Sequence, residues 1–301
     1  SLVYPSANHT RFEHSLGVYH LACEALDHLG VAGQDAERVR AAAMLHDVGH
    51  GPFSHTIEDL LHRRTGKYHD EVSDLLSRGD VARVLDEHGL SPDRVAALVR
   101  GEGRLGQLVA GELDVGRMDY LGPDAHHTGV PYGTIDHGRL VRALDFADGD
   151  LVLAAGNVQT AESLLLARAL MNPTVYTHHV ARISKAMLRR AAERLADAAA
   201  LETGELRRMD DAELRVAIRR EPAAADLGDR LANRDLYKRA VWAEIDAVPE
   251  AVIDADHETV REYEAAIADR AGIADGAVIV DVPDRPRIRE SATRVLVGGE
   301  A

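Results

Sequence analysis

The run Ala43-Met44-Leu45-His46-Asp47-Val48-Gly49-His50-Gly51-Pro52-Phe53-Ser54-His55 concentrates the chain's chemistry. His46 and Asp47 offer a divalent metal one nitrogen and one oxygen from adjacent residues. Zinc, iron and manganese all accept such mixed sets. His50 and His55 follow around the Gly-His-Gly-Pro break and bring proton donors or acceptors beside that metal. This is the composition of a hydrolytic site. A single His-Asp pair means little; four such groups within ten residues are hard to read as core filler.

Helices must position these groups. Between residues 12 and 29, His14, Val18, Leu21, Ala25 and Leu29 share one face, so His14 points inward. Val39, Ala42, Ala43 and His46 repeat the pattern in a second helix that ends at Gly49, with Pro52 just beyond. Ser54 is placed to cap a third helix carrying His55 and Glu58, three residues apart on one side. Further helices are expected near 68–78, 80–88, 92–100 and 112–121. Asp148-Gly149-Asp150 separates two apolar stretches, Leu140 to Phe146 and Leu151 to Ala154, which reads as a β-hairpin. A long helical region over 157–198 is expected to break at Pro173. From about 205 onward helical pieces mix with short strands, notably Ala277 to Val282. The expected fold is mainly α: a helical core over 1–200, a small β-hairpin, and a smaller C-terminal α+β region over 201–301.

The chain has 301 residues, 46% of them apolar, enough for a large core. No uninterrupted apolar run is long enough for a bilayer, and no signal-peptide pattern is visible. Cys23 is the sole cysteine, which excludes a disulfide framework and a thiolate zinc site. A cytoplasmic protein without membrane attachment is expected. The net charge of −15, with Lys67, Lys185 and Lys238 the only lysines, argues against broad nucleic-acid binding but not against a local basic pocket. The chain opens on Ser-Leu-Val-Tyr-Pro rather than Met, as a trimmed or partial chain would.

Three segments together resemble one family: Arg11-Phe12-Glu13-His14-Ser15-Leu16-Gly17-Val18, the run from His46 to His55, and Leu113-Asp114-Val115-Gly116-Arg117-Met118-Asp119-Tyr120. That family is the HD-domain deoxynucleoside triphosphate triphosphohydrolases, which include bacterial dGTPases. The resemblance runs from about residue 3 to at least 190, with the motifs in the family's order and spacing; the family's opening segment is largely missing. It implies a divalent metal (iron, zinc, manganese or magnesium) on His14, His46 and Asp47. It implies phosphate contacts from Arg11, Arg117, Arg168 and His50, and proton transfer by His55 with Glu58 behind it. His69 matches a histidine near the α-phosphate. Tyr120 and Asp124 match sugar contacts, with Asp124 accepting from a 3′-hydroxyl, and Tyr176 matches a sugar-packing tyrosine. A homo-oligomer is implied by analogy only.

The chain departs from the pattern at the fourth ligand. Where the family carries a metal-binding Asp, this sequence has Gly116. Asp114, two positions away along a helix, is expected to face elsewhere; Glu112 and Asp119 are expected to reach the metal through a water. Pro123 is expected to break the helix that follows. The implied activity is hydrolysis of deoxynucleoside triphosphates to deoxynucleoside and triphosphate. The alternatives are an HD phosphohydrolase acting on another nucleotide phosphoester, or a nucleotide-binding HD protein without turnover. The pairs His126-His127 and His178-His179 are left outside the metal site, because neighbours on a helix face different directions.

Overall fold

The computed structural model describes residues 2–198, 203–282 and 294–296. Its elements are α1 (Arg11–His28), α2 (Gly33–Leu45), α3 (His55–Thr65), α4 (Ser73–Leu76), α5 (Gly79–Glu87), α6 (Pro92–Val99), α7 (Gly103–Val109), α8 (Val115–Thr128) and α9 (His137–Arg142). The hairpin β1 (Leu144–Ala147) and β2 (Asp150–Ala154) comes next. It is followed by α10 (Val158–Met171), a π turn (Asn172–Tyr176), α11 (His179–Ala198), α12 (Thr203–Arg208), α13 (Asp211–Arg220), α14 (Ala225–Ala232), α15 (Glu250–Ile253), α16 (His257–Ala271) and β3 (Val295–Leu296). The fold is mainly helical, as the hydrophobic periodicity requires.

The chain divides into two compact units. The first comprises residues 1–178, 202–211 and 291–301. Its core is built from the inward faces of α1 (Val18, Leu21, Ala22), α2 (Val39, Ala42, Ala43), α6 (Val95, Ala96, Val99) and α8 (Val115, Met118, Leu121). Alanines on α1 and α2 let those helices approach closely, which brings the end of α2 beside the start of α1. α1 itself is started by a capping box. Thr10 accepts from the Glu13 backbone N–H, and the Glu13 carboxylate accepts from the Thr10 N–H. The second unit, residues 179–201 and 212–290, packs α11 on α14. Inside it Arg190 on α11 donates to Glu264 on α16 at 2.6 Å.

Several expectations change. The hairpin is present, paired antiparallel from Leu144↔Leu153 to Ala147↔Asp150. Its two-residue turn, Asp148-Gly149, has both φ angles positive, at 51° and 88°. Residues 137–142, however, are helix rather than strand, because the Asp136 carboxylate caps the Arg139 N–H at 2.9 Å. The third strand is β3, parallel to β2, while the expected strand at Ala277–Val282 is irregular. The helix expected over 68–78 shrinks to α4. There the Tyr68 N–H goes to Glu71 at 2.8 Å and the His69 N–H to Glu58 at 3.3 Å, so neither enters a helix ladder.

The break at Pro173 is real and takes the form of the π turn. Pro123 does not break α8, which continues to Thr128 and closes on Gly129 in the left-handed region. The residue before a proline is disfavoured in a helix partly through its Cβ, and Gly122 has none. No helix among the described residues is long and apolar enough to cross a membrane.

Candidate active site

His14 lies in the first turn of α1, and His46-Asp47 close the end of α2. The partner of each ring fixes its tautomer. His14 Nδ1 is 2.6 Å from Asp119 Oδ2, and a carboxylate can only accept, so Nδ1 carries the hydrogen. His46 Nδ1 is 2.9 Å from the Ala43 carbonyl, with the same consequence. In the neutral rings both Nε2 atoms then carry lone pairs, and they face each other at 3.3 Å. Asp47 Oδ1 stands 3.3 Å from His46 Nε2. Two imidazole lone pairs and a carboxylate converging in this way repel one another unless a cation lies among them. The donor set thus fits a divalent transition metal.

Electrostatics agree at His46 and Asp47 and run the other way at His14. Burial lowers the His46 pKa and keeps the ring neutral, as a ligand must be. Burial alone would raise the Asp47 pKa, but His46, His50, His14 and Arg11 outweigh it and hold the carboxylate ionised. Desolvation pushes His14 down, yet the Asp119 hydrogen bond and the Asp47 charge leave it raised overall. Asp119 reaches His14 because residue 17 is glycine: a Cβ there would overlap the Asp119 carboxylate. Asp119 is thus an orienting partner, fixing ring and tautomer from behind.

Gly116 opens onto the same pocket. A Cβ built on it would stand 3.9 Å from His46 Nε2 and 3.2 Å from Asp114 Oδ1. Residue 116 thus faces the donor cluster with no side chain of its own. Asp114 does not fill the gap, though the reason differs from the one expected. It is the N-cap of α8, and its carboxylate accepts from the backbone N–H groups of Arg117 at 2.6 Å and Gly111 at 3.2 Å. Burial pushes its pKa up to about 6. The Glu112 carbonyl accepts from Arg117 at 3.0 Å, and the carboxylate of Glu112 is not among the clustered donor groups.

A second cluster adjoins the first. Glu58 accepts from His55 Nδ1 at 2.6 Å and from His69 Nδ1, and the His50 ring stacks on His69 with centroids 4.1 Å apart and planes 5° from parallel. Burial opposes ionisation of Glu58, but its two imidazole partners pull its pKa down to about 2. A fixed carboxylate behind two rings leaves both Nε2 atoms to meet a substrate. Asp47 joins the clusters, with Oδ1 3.5 Å from His50 Nε2. Burial lowers His50 to about 3, so that ring is neutral.

The loop between α2 and α3 is strained. Phe53 and Ser54 have φ of 55° and 50°, a region costly for residues with a Cβ. The strain is held by Arg11, which donates to the carbonyls of His50 at 3.4 Å and Gly51 at 3.2 Å and to the Ser54 hydroxyl. Ser54 occupies the N-cap position of α3, but its side chain makes no capping hydrogen bond and accepts from Arg11. Asp211 accepts from the Phe53 N–H at 2.7 Å, and Arg207 donates to the carbonyls of Gly49 and Glu71. Arg11, expected among the phosphate contacts, has its guanidinium on this loop.

The residues expected to meet the nucleotide come together beyond His14. The Tyr120 ring meets His14 edge-on at 6.5 Å and Tyr176 at 6.2 Å. Tyr176, presented by the π turn, donates its hydroxyl to Asp124 Oδ2 at 2.7 Å. Arg168 lies near enough to Asp114, Tyr120 and Tyr176 to act on all three electrostatically. Arg117 sits 3.4 Å from Asp114. One neighbour was missed from the sequence: His9, whose Nε2 lies 2.8 Å from Asp124 Oδ1. It precedes α1 on irregular backbone, so no periodicity marks it. His127 stacks on His9 with centroids 4.6 Å apart, and its ring also meets that of His126 edge-on at 5.2 Å.

Comparison with known proteins agrees with this geometry. Residues 11–122 match the HD domain, and residues 135–301, more than half of the chain, match the HD associated region. A crystal structure of a phosphohydrolase from Bacteroides thetaiotaomicron superposes with a TM-score of 0.70 at 30% identity, over 92% of this chain and 75% of that one. An uncharacterized protein of Methanocaldococcus jannaschii is 34% identical over 80% of this chain and 51% of its own length. The deoxynucleoside triphosphate triphosphohydrolase SAMHD1 homolog of Dictyostelium discoideum is 30% identical over 62% of this chain and 40% of its own. The chain spans about half the length of the curated relatives it matches. It belongs to the HD-domain phosphohydrolase family, in the branch that carries the HD associated region.

Proposed function

We propose that this chain hydrolyses deoxynucleoside triphosphates to deoxynucleoside and inorganic triphosphate in the presence of a divalent metal. The observation that carries the reading is the junction of three groups of residues in one unit: facing imidazole lone pairs with a carboxylate, the Glu58-held histidines, and the tyrosine-bounded Asp124. Similarity to relatives named as deoxynucleoside triphosphate triphosphohydrolases supports the choice of substrate.

His14, His46 and Asp47 would hold the metal, which when bound supplies Lewis acidity and makes a nearby water more acidic. In the reaction the water oxygen bonds to the α-phosphorus as the bond from that phosphorus to the 5′-oxygen breaks. One water proton is lost, and the departing 5′-oxygen gains one. His55 and His69, each anchored through Nδ1 on Glu58, present Nε2 to the phosphates and are placed to move that proton. Arg168 and Arg117 offset phosphate charge. Asp124 accepts from the sugar 3′-hydroxyl, and Tyr176 walls the 2′ side.

Gly116 favours a second reading, nucleotide binding without turnover, because a three-donor site holds metal less firmly than a four-donor one. Incubating the metal-supplemented protein with the four dNTPs, the four NTPs and a cyclic dinucleotide separates the cases. Triphosphate released from dNTPs alone supports the proposal. Turnover of another phosphoester moves the substrate, and saturable dNTP binding without any product supports the second reading.

A further inference from the structure

His127 and the irregular segment before α1 have no part in the chemistry above, yet they meet beside Asp124. We propose that His9 is a positioning residue that sets how Asp124 reads the sugar 3′ position, delivered by residues 4–9 acting as a strap. The proposal rests on the reading of Asp124 as the 3′-hydroxyl acceptor.

The strap is tied at both ends of the sugar pocket. Tyr4 donates its hydroxyl to the Thr174 carbonyl at 2.6 Å, in the π turn that presents Tyr176. Ser6 donates to the His127 carbonyl at 2.5 Å, near the end of α8. His9 then lies flat on the His127 ring, 17° from parallel. His127 is three residues after Asp124 on α8, so the ring beneath His9 and the carboxylate beside it lie on one face of that helix.

The carboxylate can only accept, so His9 Nε2 donates to Oδ1 while the Tyr176 hydroxyl donates to Oδ2. His9 Nδ1 is buried with no hydrogen-bond partner, so the Nε2 contact to Asp124 is the ring's one hydrogen bond. With one donor on each oxygen the carboxylate plane cannot rotate. Its remaining lone pairs then point in fixed directions, ready for one further donor. Without His9 only Tyr176 holds Asp124, and the carboxylate turns freely about its bond to Cβ. The loss falls on substrates that bring a 3′ donor and spares those that do not. A merely structural loss would affect both alike.

The test compares dATP with 2′,3′-dideoxy-ATP, and dGTP with its dideoxy analogue, for the full chain and for His9→Ala and His9→Gln. Binding is measured by calorimetry in chelator, and kcat/KM with metal. A well-held hydroxyl contact is worth on the order of 1–3 kcal/mol, about 5- to 150-fold. The unchanged protein should prefer the 3′-hydroxyl nucleotide by about that factor. His9→Ala should bring the ratio to within about threefold of unity by weakening dNTP binding alone, and His9→Gln, which places an amide donor at similar reach, should restore most of it. The proposal is overturned if His9→Ala weakens both nucleotides equally, if the ratio survives the substitution, or if the unchanged protein shows no preference. A preference in binding that depends on His9, with no hydrolysis of any dNTP, upholds it while overturning the catalytic reading.

Discussion

Replacing Gly116 by aspartate restores a ligand at a position whose backbone is already aimed at the metal pocket. The new Cβ stands 3.9 Å from His46 Nε2, so a carboxylate borne on it enters the space shared by His14, His46 and Asp47. An added unit charge about 4 Å from a cation is worth about 4 kcal/mol at an effective dielectric of 20. Ordering the side chain removes about 1 kcal/mol. The remaining ~3 kcal/mol corresponds to about 100-fold tighter metal binding. Without metal the sign reverses. The new carboxylate is borne on a Cβ 3.2 Å from an oxygen of Asp114, whose ionisation burial already disfavours, and its charge also adds to that of Asp47. Gly116→Asp should therefore lose thermal stability in chelator by several degrees, at about 2–4 °C per kcal/mol for a unit of this size, and regain it with metal. Competition against a chromophoric chelator measures the affinity, and a melting scan with and without zinc or manganese measures the rest. If the unchanged protein already binds one metal tightly and Gly116→Asp alters neither affinity nor melting, the account of the missing ligand is wrong.

Asp119→Ala removes the acceptor that fixes the His14 tautomer, and metal affinity by the same competition should fall about 10- to 100-fold. Glu58→Gln offers one imidazole an amide donor instead of an acceptor. Turnover should drop about 10²- to 10⁴-fold with dNTP binding largely kept, and the acid limb of the pH–rate profile should owe nothing to Glu58, which stays ionised down to about 2. Asp114 gives a pH-dependent effect. Its folded pKa of about 6 exceeds the unfolded value of 3.8, so the folded state binds the extra proton and stability falls as pH rises between those values. Asp114→Asn keeps an N-cap acceptor without the charge. It should match the unchanged protein near pH 4 and be more stable at pH 7.5 by up to about 3 kcal/mol, read as the difference between their melting temperatures at the two pH values.

The cluster of His14, His46 and Asp47 was largely legible in the sequence because its members sit on helix faces and at a helix end. His14 shares its face with Val18 and Leu21, and His46 with Val39 and Ala42, so periodicity alone turned both inward. Asp47 followed by adjacency. What periodicity cannot see lies off the helices or depends on side-chain direction. His9 arrives on irregular chain, and Arg11 turns onto the loop carbonyls it braces. Asp114 is a cap rather than a helical residue, which a boundary shifted by three positions concealed. The segment Ala277–Val282 has the composition of a strand but no strand partner among the described residues, and β-branched composition does not itself supply one. Pro123 shows the converse, a breaker tolerated because a glycine precedes it.

The central claim is that the α-phosphorus is attacked by water and triphosphate leaves intact. Reaction of the metal-loaded protein with a dNTP in ¹⁸O-labelled water, followed by mass spectrometry and phosphorus NMR, addresses it directly. The account predicts inorganic triphosphate carrying one ¹⁸O, an unlabelled deoxynucleoside, and complete suppression by chelator. Label in the deoxynucleoside, release of mono- or diphosphate instead of triphosphate, or full activity in chelator would contradict it.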